Sequence, residues 1–523
     1  MSDASSHYEV HGCQSNAWTV QRVCDDKKTA IESASSLLKE LSLKAVKVLE
    51  VSYSADDEGF KDKEIYFDGE RIAVNQGAQS VPLIRPICNQ PKDLYRLDAR
   101  RVIANQLKSP LAAWNIVPLE LLYHAENMQR LNDTGQILQG AVQKIAISQI
   151  QKTGQKVSER VLDLYRLTSE VLKELKFQRQ QDDFIEIENE NLDALFVKAS
   201  ATENPDRAFM TAFCRFLKPI PKLDEKFEKI LELIAANQNS PALKYLDWFF
   251  ADFLNVSENI KLVFGDSDNL GEGLLRILDV IKGQAKQTQN CHAIFPTIMA
   301  MIKNKSMPET QKSLVHKFKT TIEGNASFVK NDPFKSVMYH ERILNSMVSK
   351  GGGHIGGSEC VDALKERCAR MTGSTSIAEF LYGYDYPLDR VDRLVDIASG
   401  LIGASNMRTI ANYIIPILES PFNVEKIFEG SRDDIKTLKQ IAVIQAKVRR
   451  GDFQDFFTER MAKSLDQIGI QLFEKKQVEE QLVSGSGDQL QIGLKLLRFV
   501  SDGVFSEPAV NDRTRSLAKS TII

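Results

Sequence analysis

The spacing of hydrophobic positions changes once along the chain. Up to about residue 75 the apolar residues fall in short β-rich runs, and from Asp93 onward they step by three and four. His7–His11 and Trp18–Cys24 read as strands separated by the turn-forming Gln14-Ser15-Asn16. Asp25-Asp26 can cap a helix from about Lys27 to Leu41, whose buried face is Ile31, Ala34, Leu37, Leu38 and Leu41. Ala45–Tyr53, with Val46, Val48, Leu49 and Val51, and Lys63–Phe67, with Ile65 and Phe67, read as two further strands around a hairpin loop at 54–59. The order ββαββ predicts one helix laid across a four-stranded antiparallel sheet.

Pro82, Pro86 and Pro91 then mark a stretch without helical period, a linker or extended strap. Beyond it helices are expected over 94–107, 119–131, 134–179, 206–217, 223–236, 241–254, 269–283, 291–303, 309–323, 333–349, 358–371, 388–402, 406–419, 432–449, 452–473 and 488–501. The fold class is therefore mainly α. A small α+β module (1–75) and a Pro-containing linker (76–92) precede a long-helix, coiled-coil-like segment (93–190). An α-helical array, solenoid-like or multi-helix, fills 191–523.

Within 134–179, Ile147, Ile150, Gly154, Val157, Val161, Leu164, Thr168, Val171 and Leu175 step by three and four in alternation. This heptad seam, broken only by Gly154 and Thr168, predicts a long helix whose narrow stripe needs a partner. The partner is another segment of the chain or a second copy. The helical character of 94–131 favours an intrachain hairpin over a homodimer. A weak internal echo aligns 227–264 with 391–428, setting Phe227 on Val391, Ile230 on Leu394, Leu246 on Ile410 and Leu254 on Leu418. Any two amphipathic helix pairs with short loops agree about this well.

Composition narrows the function. The 523 residues are 43% hydrophobic and 26% charged with net charge −3, so no global field attracts nucleic acid or an anionic membrane. No apolar run approaches ~18 residues and no leader-like stretch opens the chain, which reads as cytoplasmic. The seven cysteines are widely spaced without a C-x-x-C, which suits a reducing compartment.

Five of the seven residues from Gly351 to Gly357 are glycine, in the run KGGGHIGGSE. Gly351, Gly353 and Gly356 match a dinucleotide fingerprint read literally, but helical sequence precedes the run and no strand follows. The reading is a connector: a helix C-cap at Gly351, a turn, and an N-cap at Ser358. The alternative is an anion- or ligand-binding turn made of Gly351, Gly352, Gly353, His354, Gly356, Gly357 and Ser358.

Of the seven histidines only His7 and His11 make an H-x-x-x-H pair, in strand-like sequence near Cys13, and a surface strand explains them. Cys291-His292 are adjacent and chelate poorly, and His124 lacks the context of a phosphoacceptor. Neither G-x-S-x-G nor H-E-x-x-H is present. Arg100-Arg101, Lys447/Arg449/Arg450 and Arg513/Arg515/Lys519 read as solvated faces. No catalytic residue, metal ligand or cofactor site is assigned.

The first 70 or so residues, with Trp18, DDKKTAIESASSLL and KAVKVLEV, resemble a small ββαββ module of uncharacterised alphaproteobacterial proteins. The stretch GGGHIGG…ALKERCARM is similar to a Gly-rich helix connector in the helical part of such proteins. Some of them carry signalling domains, including cyclic-nucleotide-binding ones, none of which this chain shows. The resemblance implies a bacterial source and a regulatory setting. The function expected is a protein-interaction scaffold or regulator without catalysis of its own. Its alternatives are a small-ligand or nucleotide sensor or enzyme using the Gly351–Gly357 turn, and a coiled-coil dimer.

Overall fold

The computed structural model describes residues 6–14, 17–24, 26–40, 43, 45–54, 59–69, 83–180, 185–188, 190–349, 351–431, 433–475, 488–503 and 508–522. Ser6–Gln14 (β1), Ala17–Cys24 (β2), Ala45–Ser54 (β3) and Gly59–Gly69 (β4) form one antiparallel sheet in the order β2-β1-β3-β4. Val10 stands opposite Val48 across the β1–β3 pair. Lys27–Glu40 (α1) lies on that face, where Ala30 and Ala34 meet Val10, Val46 and Val48. The alanines let the helix approach the sheet closely. Asp26 starts α1 by accepting the N–H groups of Lys28 at 2.9 Å and Thr29 at 3.0 Å. The tip of the expected 54–59 loop lies largely outside the described residues, but Ser54 and Gly59 pair, so the two strands do form a hairpin.

From Pro91 onward the described chain is helical, and its only extended pairing there is an isolated bridge between Val348 and His354. The expected helix at 119–131 is two, Pro118–Tyr123 and Ala125–Asp133, because His124 takes an extended conformation.

Residues 134–179 are not one long helix. Gln136–Thr153 (α2) stops at Gly154, which sits at φ +68° and sends its N–H back to Ile150 O at 2.8 Å. Glycine takes this left-handed cap at little cost, and the heptad register ends there. Val157–Gln180 (α3) folds back on α2, with Arg160 Nε donating to Gln149 Oε1 at 3.0 Å. Ile147, Val157, Leu164, Val171 and Leu175 are buried in one core with Leu138, Val142 and Ala146, and Ile150 and Val161 pack against it. The seam is thus satisfied within the chain. A strap lies along this hairpin, since Gln149 Nε2 donates to Ile84 O at 2.8 Å and to Pro86 O at 3.1 Å.

Two compact units divide the chain: Met1–Val263 with Ala293–Ser313, and Phe264–His292 with Leu314–Ile523. Aromatic packing dominates part of the first, where Phe209 stacks 4.0 Å from Tyr245 and Phe213 meets Phe249 edge-on at 5.0 Å. Arg100 and Arg101, expected at the surface, are buried in this unit. Arg100 is held there by Asp252 and Glu309, which lie far along the chain, beyond any local pattern. The second unit includes Pro333–Met347 (α4), Gly357–Met371 (α5), Ser374–Phe380 (α6), Pro387–Ala398 (α7) and Ala404–Glu419 (α8). Val337, Ile343, Leu364, Leu388, Leu394, Ile410 and Ile414 belong to its core. Among the described residues no helix is long and apolar enough to cross a membrane.

Candidate functional site

Three of the chain's twelve tyrosines fall within LYGYDYP, the segment between α6 and α7. Leu381 caps α6 by donating its N–H to Ile377 O at 3.0 Å. Gly383, at φ +81° with open space where a Cβ would stand, then reverses the chain. Tyr384 N–H closes the turn on Leu381 O at 3.1 Å, and Pro387 opens α7 as its first residue. The turn sends its tyrosines different ways. Tyr386 anchors inward, its hydroxyl donating to Ile427 O at 3.1 Å. Tyr382 is 88% exposed, the most exposed large apolar or aromatic side chain among the described residues.

Beside the turn is an open cleft of about 760 Å³. Ile377 and Leu381 line one part of it, Tyr413 and Ile417 of α8 another, and Tyr382, Tyr384, Asp385 and Arg390 are also in the lining. Tyr384 is braced by Arg393, whose guanidinium lies 5.5 Å from its ring centroid and 3.6 Å from that of Phe334. Arg390, on α7, is half-buried, and its Nε is fully buried without a hydrogen-bond partner. A buried guanidinium N–H left unpaired is costly. The cleft thus joins an apolar surface, exposed aromatic rings, the Arg390 cation and the Asp385 carboxylate. It contains no paired nucleophile and base.

The Gly-rich run lies elsewhere in the same unit. Val348, not Gly351, ends α4, and Gly356, not Ser358, caps α5. Both boundaries shift because the run folds as a small hairpin: Ser349 N–H donates to Gly353 O at 2.8 Å, and Ile355 N–H to Met347 O at 2.8 Å. Gly352, Gly356 and Gly357 occupy positive φ. A Cβ on Gly356 would collide with Cys360, whereas Gly351 and Gly357 face open space. The N–H groups of Gly352 and Gly357 are committed to Ser349 O and His354 O, each at 3.0 Å. With Ile355 N–H also used, three of the main-chain donors between Gly351 and Gly357 serve the turn itself.

Among the described residues no three His, Cys, Asp or Glu side chains converge as a metal site. His11 Nε2 instead meets Glu9 Oε2 at 2.8 Å, and the His7 side chain lies outside the described residues. No disulfide joins any of the seven cysteines, and six of them are buried. Cys291 is the partly exposed one. Its sulfur accepts from Arg276 Nη2 at 3.0 Å and from Thr288 N–H at 3.4 Å.

Sequence reasoning passed over Tyr382, Tyr384 and Arg390. A signal was present in the clustering of tyrosines around a glycine just ahead of a proline. Comparison with protein-family models, with curated proteins and with solved structures returns no match for the chain.

Proposed function

We propose that the chain is a protein-interaction or scaffold component without catalysis of its own, and that the cleft between α6, α7 and α8 is where it takes a partner. The partner segment is a short peptide that brings a carboxylate beside a bulky apolar side chain. The observation that carries this reading is Arg390, a half-buried guanidinium-bearing residue in the lining of a cleft whose rim is Tyr382 and Tyr384. Tyrosine and arginine are the residue types that carry binding energy at protein interfaces, and the apolar lining gives the second anchor. A cytoplasmic, bacterial, regulatory setting fits the resemblance of the amino-terminal module and adds nothing to the cleft's chemistry.

The two alternatives have less support. The Gly351–Gly357 turn spends the N–H groups of Gly352, Ile355 and Gly357 on its own fold, which gives the ligand-sensor reading less support. The heptad seam is buried in the chain's own core, which weakens the coiled-coil dimer. A selection of displayed random peptides on the full-length protein tests the proposal. Enrichment of sequences pairing Asp or Glu with a large apolar residue is expected, and Tyr382→Ser should abolish it. Enrichment without acidic residues, or unchanged by Tyr382→Ser, would refute it.

A further inference from the structure

A second cavity, of about 160 Å³, lies in the same unit between α4, α5 and the segment that precedes α4. It is well below the roughly 300–1,000 Å³ of pockets that hold drug-sized ligands. Its lining combines His340 of α4 with Arg367, Arg370 and Met371 of α5, and with Asn325, Ser327, Phe328 and Ser336. No carboxylate is among them.

His340 is wholly buried, yet its Nε2 has no partner. Its Nδ1 lies 2.9 Å from Val337 O. A carbonyl only accepts, so Nδ1 carries the proton and Nε2 of the neutral ring is a bare acceptor. Burial, reinforced by Arg367 and Arg370, pushes the ring down to about 4 and keeps it neutral. The cationic side of the cavity is just as incomplete. Arg367 is buried, with its guanidinium 4.0 Å from the Phe328 ring centroid. It donates to the carbonyls of Ile322, Gly324 and Ala326, which accept hydrogen bonds but supply no negative charge. Arg370 faces the cavity from an exposed position, with no acidic side chain in the lining to balance it.

The cavity therefore asks for two things from one small ligand: negative charge for the arginines and a hydrogen-bond donor for Nε2. We propose that it binds inorganic hydrogen phosphate, whose P–O–H donates to His340 Nε2 while its anionic oxygens face Arg370 and Arg367. Sulfate matches the size and charge but carries no proton near neutral pH. A phosphate monoester dianion lacks the proton too. The site is thus a discriminator for the protonated oxyanion. It is separate from the tyrosine-rimmed cleft and does not depend on that reading.

Calorimetric titration of the full-length protein at pH 7.5 and matched ionic strength tests this with inorganic phosphate, sulfate and phenyl phosphate. Phosphate should bind, and the other two at least about tenfold more weakly, the worth of one hydrogen bond. Arg370→Gln, on an exposed residue, should weaken phosphate about tenfold without lowering the phosphate-free melting temperature. His340→Leu should erase the preference over sulfate. If that buried variant fails to fold, the three-ligand comparison and Arg370→Gln still decide. Equal affinity for sulfate, no binding at millimolar phosphate, or indifference to Arg370→Gln would each overturn the proposal.

Discussion

Arg100 and Asp252 are 152 positions apart in the chain, and Arg100 Nε donates to Asp252 Oδ1 at 2.9 Å in the interior of the first unit. The other carboxylate oxygen accepts the N–H of Leu119 at 3.1 Å. One aspartate thus ties three distant segments together. Asp252→Ala would leave buried Arg100 with only its longer approach to Glu309, at 3.6 Å, and orphan the Leu119 N–H, and should cost about 3 kcal/mol. Denaturant unfolding measures this directly. A loss under about 1 kcal/mol would mean that water reaches the pair.

The hairpin of α2 and α3 makes an opposite pair of predictions for two leucines two residues apart. Leu164 is buried in the core, and Leu162 is 68% exposed. Leu164→Asp should lower stability by roughly 3 kcal/mol or more, because an unpaired carboxylate enters an apolar core. Leu162→Asp should stay within about 0.5 kcal/mol. If the seam instead joined two copies, Leu164→Asp would change the mass in light scattering while leaving the protomer folded.

The same comparison shows what was legible in the sequence. Period and capping residues located α1, the four strands and most helices, because burial of one face writes itself into local spacing. Asp26 was readable as a cap because its role is local. Gly154 was visible as an interruption of the seam, yet its left-handed φ was decisive and the heptad count was not. Arg100 could not be read, since its partner is far away in sequence. The cleft was hidden for a similar reason. Tyr382 and Tyr384 are neighbours in the chain, but Tyr413 and Ile417 reach them only through the packing of α8.

His340 sets a pH dependence. The unfolded ring protonates near its ordinary 6.5 and the folded ring only near 4. Between those values the unfolded state binds more protons, so this contribution is complete above about 6.5 and is lost as the pH falls toward 4. A shift of that size corresponds to roughly 3 kcal/mol. The permanent charges of Arg367 and Arg370 oppose protonation throughout. In phosphate-free buffer, His340→Gln should flatten the fall in stability over this window. An unchanged slope would place the ring in contact with solvent.

Cys291 should be the most reactive thiol. Burial raises its pKa, but the hydrogen bonds from Thr288 and the Arg276 guanidinium outweigh that and hold it below the ordinary thiol range. The six other sulfurs are buried. Limited alkylation at pH 7 followed by peptide mass mapping should label Cys291 first, and Arg276→Gln should slow it. Earlier labelling of Cys13 or Cys360 would contradict the assignment.

The cleft carries the central claim, and an affinity ratio tests it most directly. A selected peptide is titrated against the full-length protein in two forms, with its acidic residue intact and with that residue changed to the amide. The wild-type protein should prefer the acid by about tenfold, the value of a charge-assisted hydrogen bond to Arg390. Arg390→Gln should bring the ratio close to one while the melting temperature holds. A wild-type ratio near one, or a ratio that survives Arg390→Gln, would contradict the assignment of the cleft as the recognition site.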